Sequence, residues 1–208
     1  MAYQQVTQNG YNLSEVVSAL QKEIRRGNEK LAYFWAHEMC PHYEKYLWRR
    51  LLIIVHEDIG IANPLLLILV PCARETYFDL RSHPSGGGVA RLALANVILL
   101  MCRTAKTRLA VHLDTVVEQE RRHGQKLEVP DYALDKHTQR GRGLKRGYEH
   151  FFTEAAKLVP MAMDVPDPYA QAAKDWYCGP NYKKGEDWEP TKAKKKGDML
   201  PLFDEDDE

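Results

Sequence analysis

The strongest constraint on this chain is the punctuation of its first 125 residues. Apolar residues recur there at helical spacing between helix-start and helix-stop signals, and no strand-length alternation competes with them. Asn12 followed by Glu15 has the form of an N-cap with its reciprocal N3 acid. Val16, Val17, Leu20 and Ile24 then share a face up to a stop at Gly27. A short helix over about 29–39 ends before Pro41. A third, over about 43–59, places Leu47, Leu51, Ile54 and Val55 on one side and Lys45, Arg49 and Arg50 on the other, with Gly60 as terminator. Asn63-Pro64 supplies a cap and a first-turn proline for a very apolar helix to about Leu80, in which Pro71 predicts a kink because it lacks an amide donor. SHPSGGG at 82–88 interrupts the pattern, and helices over 89–101 and 106–122 follow. The expected fold is all-α, a packed array of about six to seven helices.

After Gly124 the texture changes. The glycine- and cation-rich stretch QKLEVPDYALDKHTQRGRGLKRG predicts a loop with short turns, and 148–158 predicts one more helix. From Pro160 the chain is rich in Pro, Lys and Asp, with six lysines in 183–197 and six acids in 198–208, a composition that cannot bury enough apolar surface to fold alone. The expected partition is a helical domain over 1–160 and an extended, partly disordered tail over 161–208, basic and then acidic. The 29 Lys+Arg and 29 Asp+Glu therefore cancel between regions rather than site by site. Cations concentrate at 103–108, 136–146 and 183–196, and the acidic end is expected to shield the basic loops when DNA is absent.

The four cysteines, Cys40, Cys72, Cys102 and Cys178, lie 30 or more residues apart, which excludes C-x-x-C zinc and thioredoxin motifs. With no basic-then-apolar leader at the N-terminus, they are expected to be reduced, mostly buried thiols of a cytoplasmic protein. The longest uncharged stretch, 59–73, is 15 residues, short of the roughly 20 needed to span a bilayer, so no membrane association is expected.

No phosphate-cradling G-x-x-x-x-G-K-[ST] loop and no G-x-S-x-G elbow occur. HEMCPH at 37–42 is one residue too long for the H-E-x-x-H zinc helix, and Pro41 ends the helix. Neither a metal nor a cofactor is expected. Glu57 and Asp58 are adjacent carboxylates at a helix C-terminus, where they oppose the macrodipole unless they have cationic partners or cap the next element near Asn63. Arg50, Glu57, Asp58 and Asn63 are the expected structural hub.

Arg103, Lys106 and Arg108 gather at a junction of helices, and Lys136, His137, Arg140, Arg142, Lys145 and Arg146 form a run without an acid. Arginines suit bidentate phosphate contact and the glycines let a backbone approach a ligand, so both groups are candidates for DNA or phosphate. The alternative for the second run is a solvated loop paired to Asp131 and Asp135. Tyr132 and Tyr148 flank it, to stack on bases or to pack within the protein.

Arg49-Arg50-Leu51 and the stretch Glu57-Asp58-Ile59-Gly60-Ile61-Ala62-Asn63-Pro64 resemble the R-R-L…S-E-D-I-G-x-A-[DN]-P pattern that follows the ATPase core of the replication-associated recombination ATPases, the RarA/MgsA family. The resemblance continues at Ala95 to Ala110, where C-R-x-x-K-[ST] is similar to the family's A-P-K-S turn. It returns at His137-Thr138 and Gly147-Tyr148-Glu149-His150, similar to a K-G-Y-x-x-x-H segment, so that about 28–155 is covered. His56 stands where the family has Ser, and the sequence carries no ATPase module upstream, so ATP hydrolysis and DNA remodelling do not carry over. The resemblance implies the helical C-terminal domain that assembles homotetramers, free-standing or acting in trans with an AAA+ ATPase.

The expected function is accordingly a non-catalytic helical oligomerisation and DNA-associated module of replication, recombination or repair. A second expectation, from another class, is an enzyme using His56, Glu57 and Asp58 or Asp135 and His137 as a carboxylate–His cluster, provided those groups share a cleft. A third is a structural subunit without nucleic-acid contact. The tail Met199-Leu200-Pro201-Leu202-Phe203 resembles the Q-L-x-L-F peptides that bind bacterial sliding clamps, with Met in place of Gln and with Met199, Leu200, Leu202 and Phe203 as the contact residues. The alternative for it is a solubilising acidic end.

Overall fold

The computed structural model describes residues 5–180. α1 (Leu13–Arg26) starts where Asn12 Oδ1 accepts from the amides of Ser14 at 2.9 Å and Glu15 at 3.3 Å, and it stops where Gly27 turns left-handed at φ 76°. The Gly27 amide closes on the last carbonyls of the helix, so both ends are fixed by local chemistry. α2 (Glu29–Glu38) and α3 (Glu44–Ile54) follow. The third helix ends five residues earlier than its apolar pattern suggests, because Val55–Ile59 winds as a π turn and Gly60–Ala62 as a 3₁₀ turn. Gly60, at φ 48° and buried, makes that second bend with a backbone that side-chain-bearing residues rarely adopt.

α4 (Pro64–Ser82) opens on Pro64 as anticipated and continues through Pro71 without a break. Asn63, however, makes no side-chain cap. Its Nδ2 donates instead to Thr104 Oγ1 at 3.1 Å, joining the start of α4 to the loop after α5. α5 (Gly87–Arg103) packs along α4 and receives α1 and α2 on its other side. Gly86, just before it, is packed so closely that a Cβ there would lie 1.7 Å from the Leu80 carbonyl oxygen.

The core lies where these helices meet. Leu20 and Ile24 of α1, Leu47, Trp48 and Leu51 of α3, Val70 and Tyr77 of α4 and Leu94 and Ile98 of α5 are essentially removed from solvent. Trp48 and Tyr77 meet within it at a tilt of 54°, ring centroids 5.2 Å apart. α6 (Leu109–Arg122) is different, since none of its residues is buried.

The described residues divide into two compact units between Lys126 and Leu127. In the second, the segment expected to be loop contains a 3₁₀ turn (Asp131–Ala133) and α7 (Gln139–Gly143), capped by Thr138 Oγ1 accepting from the Gly141 amide at 2.9 Å. The helix expected over 148–158 is α8 (Tyr148–His150) running into a π turn, Phe151–Ala155. α9 (Ala170–Cys178) is helical where extended chain was expected. The described residues thus hold nine helices and no strand. None of their helices is long and apolar enough to cross a membrane.

All four cysteines are free thiols. Only Cys102 is buried, Cys40 is partly covered, and Cys72 and Cys178 are exposed, so the expectation of mostly buried thiols holds for Cys102 alone.

Candidate functional site

The junction after α3 is built around Asp58. The π turn, together with the packing of α1 against α3, brings Asp58 to 1% exposure beneath α1. Its Oδ1 accepts from Arg25 Nε at 2.8 Å and lies 3.6 Å from Arg108 Nε, while its Oδ2 accepts from Gln21 Nε2 at 2.9 Å. Glu57 is more exposed, takes a 2.6 Å hydrogen bond from the same Gln21 amide and lies 3.8 Å from Arg25. Arg50 enters by donating to Gln21 Oε1. The Thr107 amide donates to the Asp58 carbonyl at 3.0 Å and ties the loop before α6 to the same point.

Two acids that oppose their own helix dipole thus gain cations from α1 and from the α5–α6 loop. Of the expected hub, Arg50, Glu57 and Asp58 converge through Gln21, whereas Asn63 bonds Thr104 instead and does not join them. Gln21 and Arg25 were not anticipated. They lie on α1, 29 or more residues from their partners, and only the unmatched acid pair hinted that such partners exist. His56 is exposed and makes no hydrogen bond among the described residues, so it does not join Glu57 and Asp58.

The first basic group is engaged within the fold. Arg103 forks onto Glu29, with Nε to Oε1 at 2.6 Å and an Nη to Oε2 at 3.2 Å, and this holds the Glu29 carboxyl below its usual range. Lys106 Nζ donates to the carbonyls of Cys102 at 2.7 Å and Thr104 at 3.0 Å, closing the C-terminal end of α5. Arg108 belongs to the Asp58 junction. A phosphate would have to share each of these three side chains with an existing acceptor.

The second run divides in two. Arg146 makes bidentate bonds to Asp131 at 2.7 Å and also reaches the carbonyls of Asp131 and Leu134, and these bonds hold the Asp131 carboxyl low. Lys136 Nζ sits 3.7 Å from the centroid of the Tyr148 ring, and Arg142 donates to the His137 carbonyl at 3.0 Å. His137 Nδ1 pairs with Asp135 at 2.7 Å, which lowers the Asp135 carboxyl. Gly141 is pressed against this loop, and a Cβ there would lie 1.8 Å from the Asp135 carbonyl oxygen.

Arg140 and Lys145 remain exposed and, among the described residues, without an ion pair or hydrogen bond from their side chains. Tyr148 stacks on Tyr177 of α9 at 4.3 Å, whereas Tyr132 is exposed. The tail residues Met199, Leu200, Leu202 and Phe203 and the lysines of 183–196 lie outside the described residues.

The model of the MgsA AAA+ ATPase C-terminal family matches residues 28–194. The replication-associated recombination protein A of Bacillus subtilis is 29% identical over 137 residues, which are 65% of this chain and 31% of that protein. Its namesake in Coxiella burnetii is 28% identical over 138 residues, 64% of this chain and 30% of that protein. This chain therefore spans about a third of the curated relatives it matches. Arg50, Glu57, Asp58 and both basic groups fall within the matched residues, Gln21 and Arg25 precede them, and the chain belongs to the MgsA AAA+ ATPase C-terminal family.

Proposed function

We propose that this chain is a non-catalytic assembly and DNA-associated module that works with an AAA+ ATPase in replication-linked recombination or repair, in the cytoplasm. The observation that carries this reading is α6. Leu109, Leu113, Val116 and Val117 recur on one side of the helix, each 45–63% exposed, and no residue of α6 is buried. Ile61, Leu65 and Ile68 add further exposed apolar side chains at the start of α4. A lone soluble domain rarely leaves so much aliphatic surface in water, and a homo-oligomer, a tetramer by family resemblance, is the natural occupant.

Light scattering on the chain and on a Leu113→Asp, Val116→Asp double variant tests this. The wild type should give a mass of several chains and the variant the mass of one, with helix content unchanged. A monomeric wild type removes the proposal.

DNA contact is the second part of the reading. It rests on the exposed Arg140, Lys145 and Tyr132 rather than on the engaged arginines of the same run. The sliding clamp is the partner proposed for residues 199–203.

A further inference from the structure

A cleft of about 220 Å³ opens where the ends of α2, α3, α4 and α5 meet, and it shares no lining residue with the Asp58 junction or with either basic group. Its floor is neutral. The Tyr77 hydroxyl donates to Glu44 Oε1 at 2.8 Å, and Cys40 Sγ lies 3.8 Å from that hydroxyl. Burial raises both the Tyr77 hydroxyl and the Cys40 thiol above their ordinary values, so neither carries charge. Glu44 is the one carboxylate in the lining, and it is already held by Tyr77 and by Arg81 Nε at 2.9 Å.

The mouth is made of donors. Arg91 forms no ion pair among the described residues, and the imidazole of His37 and the amide of Gln8 line the same opening. Gly87, the first residue of the 17-residue α5, leaves that wall without a side chain and adds the positive end of the helix. Two arginines therefore face one carboxylate, whose Oε1 takes both the Tyr77 and the Arg81 bonds, and the lining carries an excess of one positive charge.

We propose that this cleft binds a phosphoryl group, carried either by a small phosphate monoester or by the end of a nucleic-acid strand. Arg91 offers a planar fork for two of its oxygens, and His37 and Gln8 approach from other elements for a third. A carboxylate would be saturated by Arg91 alone, whereas the three outward oxygens of a phosphoryl group match donors that arrive from three directions. The volume leaves room for part of the group that carries the phosphate.

Calorimetric titration of the full chain with inorganic phosphate at fixed ionic strength should give saturable one-to-one binding. Arg91→Ala should weaken it by about tenfold or more, as expected for loss of a charge-assisted fork. Arg91→Lys, which keeps the charge without the fork, should fall between, and Lys30→Ala, at an exposed cation outside the cleft, should leave it unchanged. Because Arg91 is exposed and makes no ion pair, melting curves of its variants should match the wild type.

Two oligonucleotides of one sequence, with and without a 5′-phosphate, separate the sources. A strand-end site binds the phosphorylated one more tightly and loses that difference in Arg91→Ala. A site for small monoesters saturates with phosphate and does not distinguish the oligonucleotides. Heat that never saturates, or the same affinity in Arg91→Ala as in the wild type, overturns the proposal.

Discussion

Replacing Asp58 by Ala removes an acceptor that three side chains from two segments share. Arg25 Nε and Gln21 Nε2 lose hydrogen bonds of 2.8 and 2.9 Å, and Arg108 loses a counter-ion at 3.6 Å. Hydrogen bonds to a charged acceptor contribute about 1.5–3 kcal/mol each, and breaking one side of a buried ion pair costs about 3–5 kcal/mol. The side chains of Arg25 and Arg108 keep 32% and 47% of their exposure, so water recovers part of the loss on the arginine side. Gln21 is 6% exposed and cannot turn out to solvent, although Glu57 remains within its reach.

The net effect is therefore about 3 kcal/mol, or about 10 °C in the melting temperature of the first unit. Asp58→Asn, which keeps an acceptor oxygen for Gln21, should lose roughly half as much. Glu57→Ala, at a more exposed position, should lose about 1 kcal/mol or less. Urea unfolding followed by far-ultraviolet circular dichroism measures all three. An Asp58→Ala variant within about 1 kcal/mol of the wild type, or no worse than Glu57→Ala, would refute the view that this carboxylate organises the junction.

Arg140→Ala with Lys145→Ala should weaken binding to forked DNA and lower the slope of log affinity against log salt by about two, whereas Arg146→Ala should first destabilise the loop that Asp131 anchors. Fluorescence anisotropy across a salt series, with melting curves alongside, distinguishes the two effects, and an unchanged salt slope in the double variant would count against DNA contact there. Burial pushes the Cys102 thiol up from the ordinary 9.0 to about 11. Its contribution to stability is therefore complete below about pH 9 and is lost as the pH rises towards 11. Cys102→Ala should flatten the fall in stability over that window, and parallel curves for the two proteins would contradict the assignment.

The long helices were legible because their signals are local. Asn12, Gly27, Pro64 and the aliphatic spacing of α1, α3 and α5 act within one or two turns. The π turn at Val55–Ile59 was not, since an α-helix and a wider turn place Ile54, Val55 and Ile59 on nearly the same apolar side. The partners of Asp58 were hidden for another reason. Arg25 lies 33 positions away, and Arg108 sits in a cationic cluster that resembles a ligand site until the fold brings it to a carboxylate. The glycines at 141 and 143 argued for a loop and against the short helix that Thr138 caps. α9 was obscured by the prolines before it. The cleft beside Arg91 had no linear signature at all, since its lining comes from four separate stretches of chain.

The wide turn at Val55–Ile59 also sets what this region tolerates in length. A π turn holds one residue more than the α-helical ladder it interrupts. Deleting a single residue between Ile54 and Gly60 would let α3 run on in regular register, with its apolar face nearly preserved. The carboxylate of residue 58 lies inside the wide turn, so it would lose the position from which it meets α1. One codon lost here would leave a well-formed helix and abolish the junction, while the same loss in the exposed loop after Gly124 would change little.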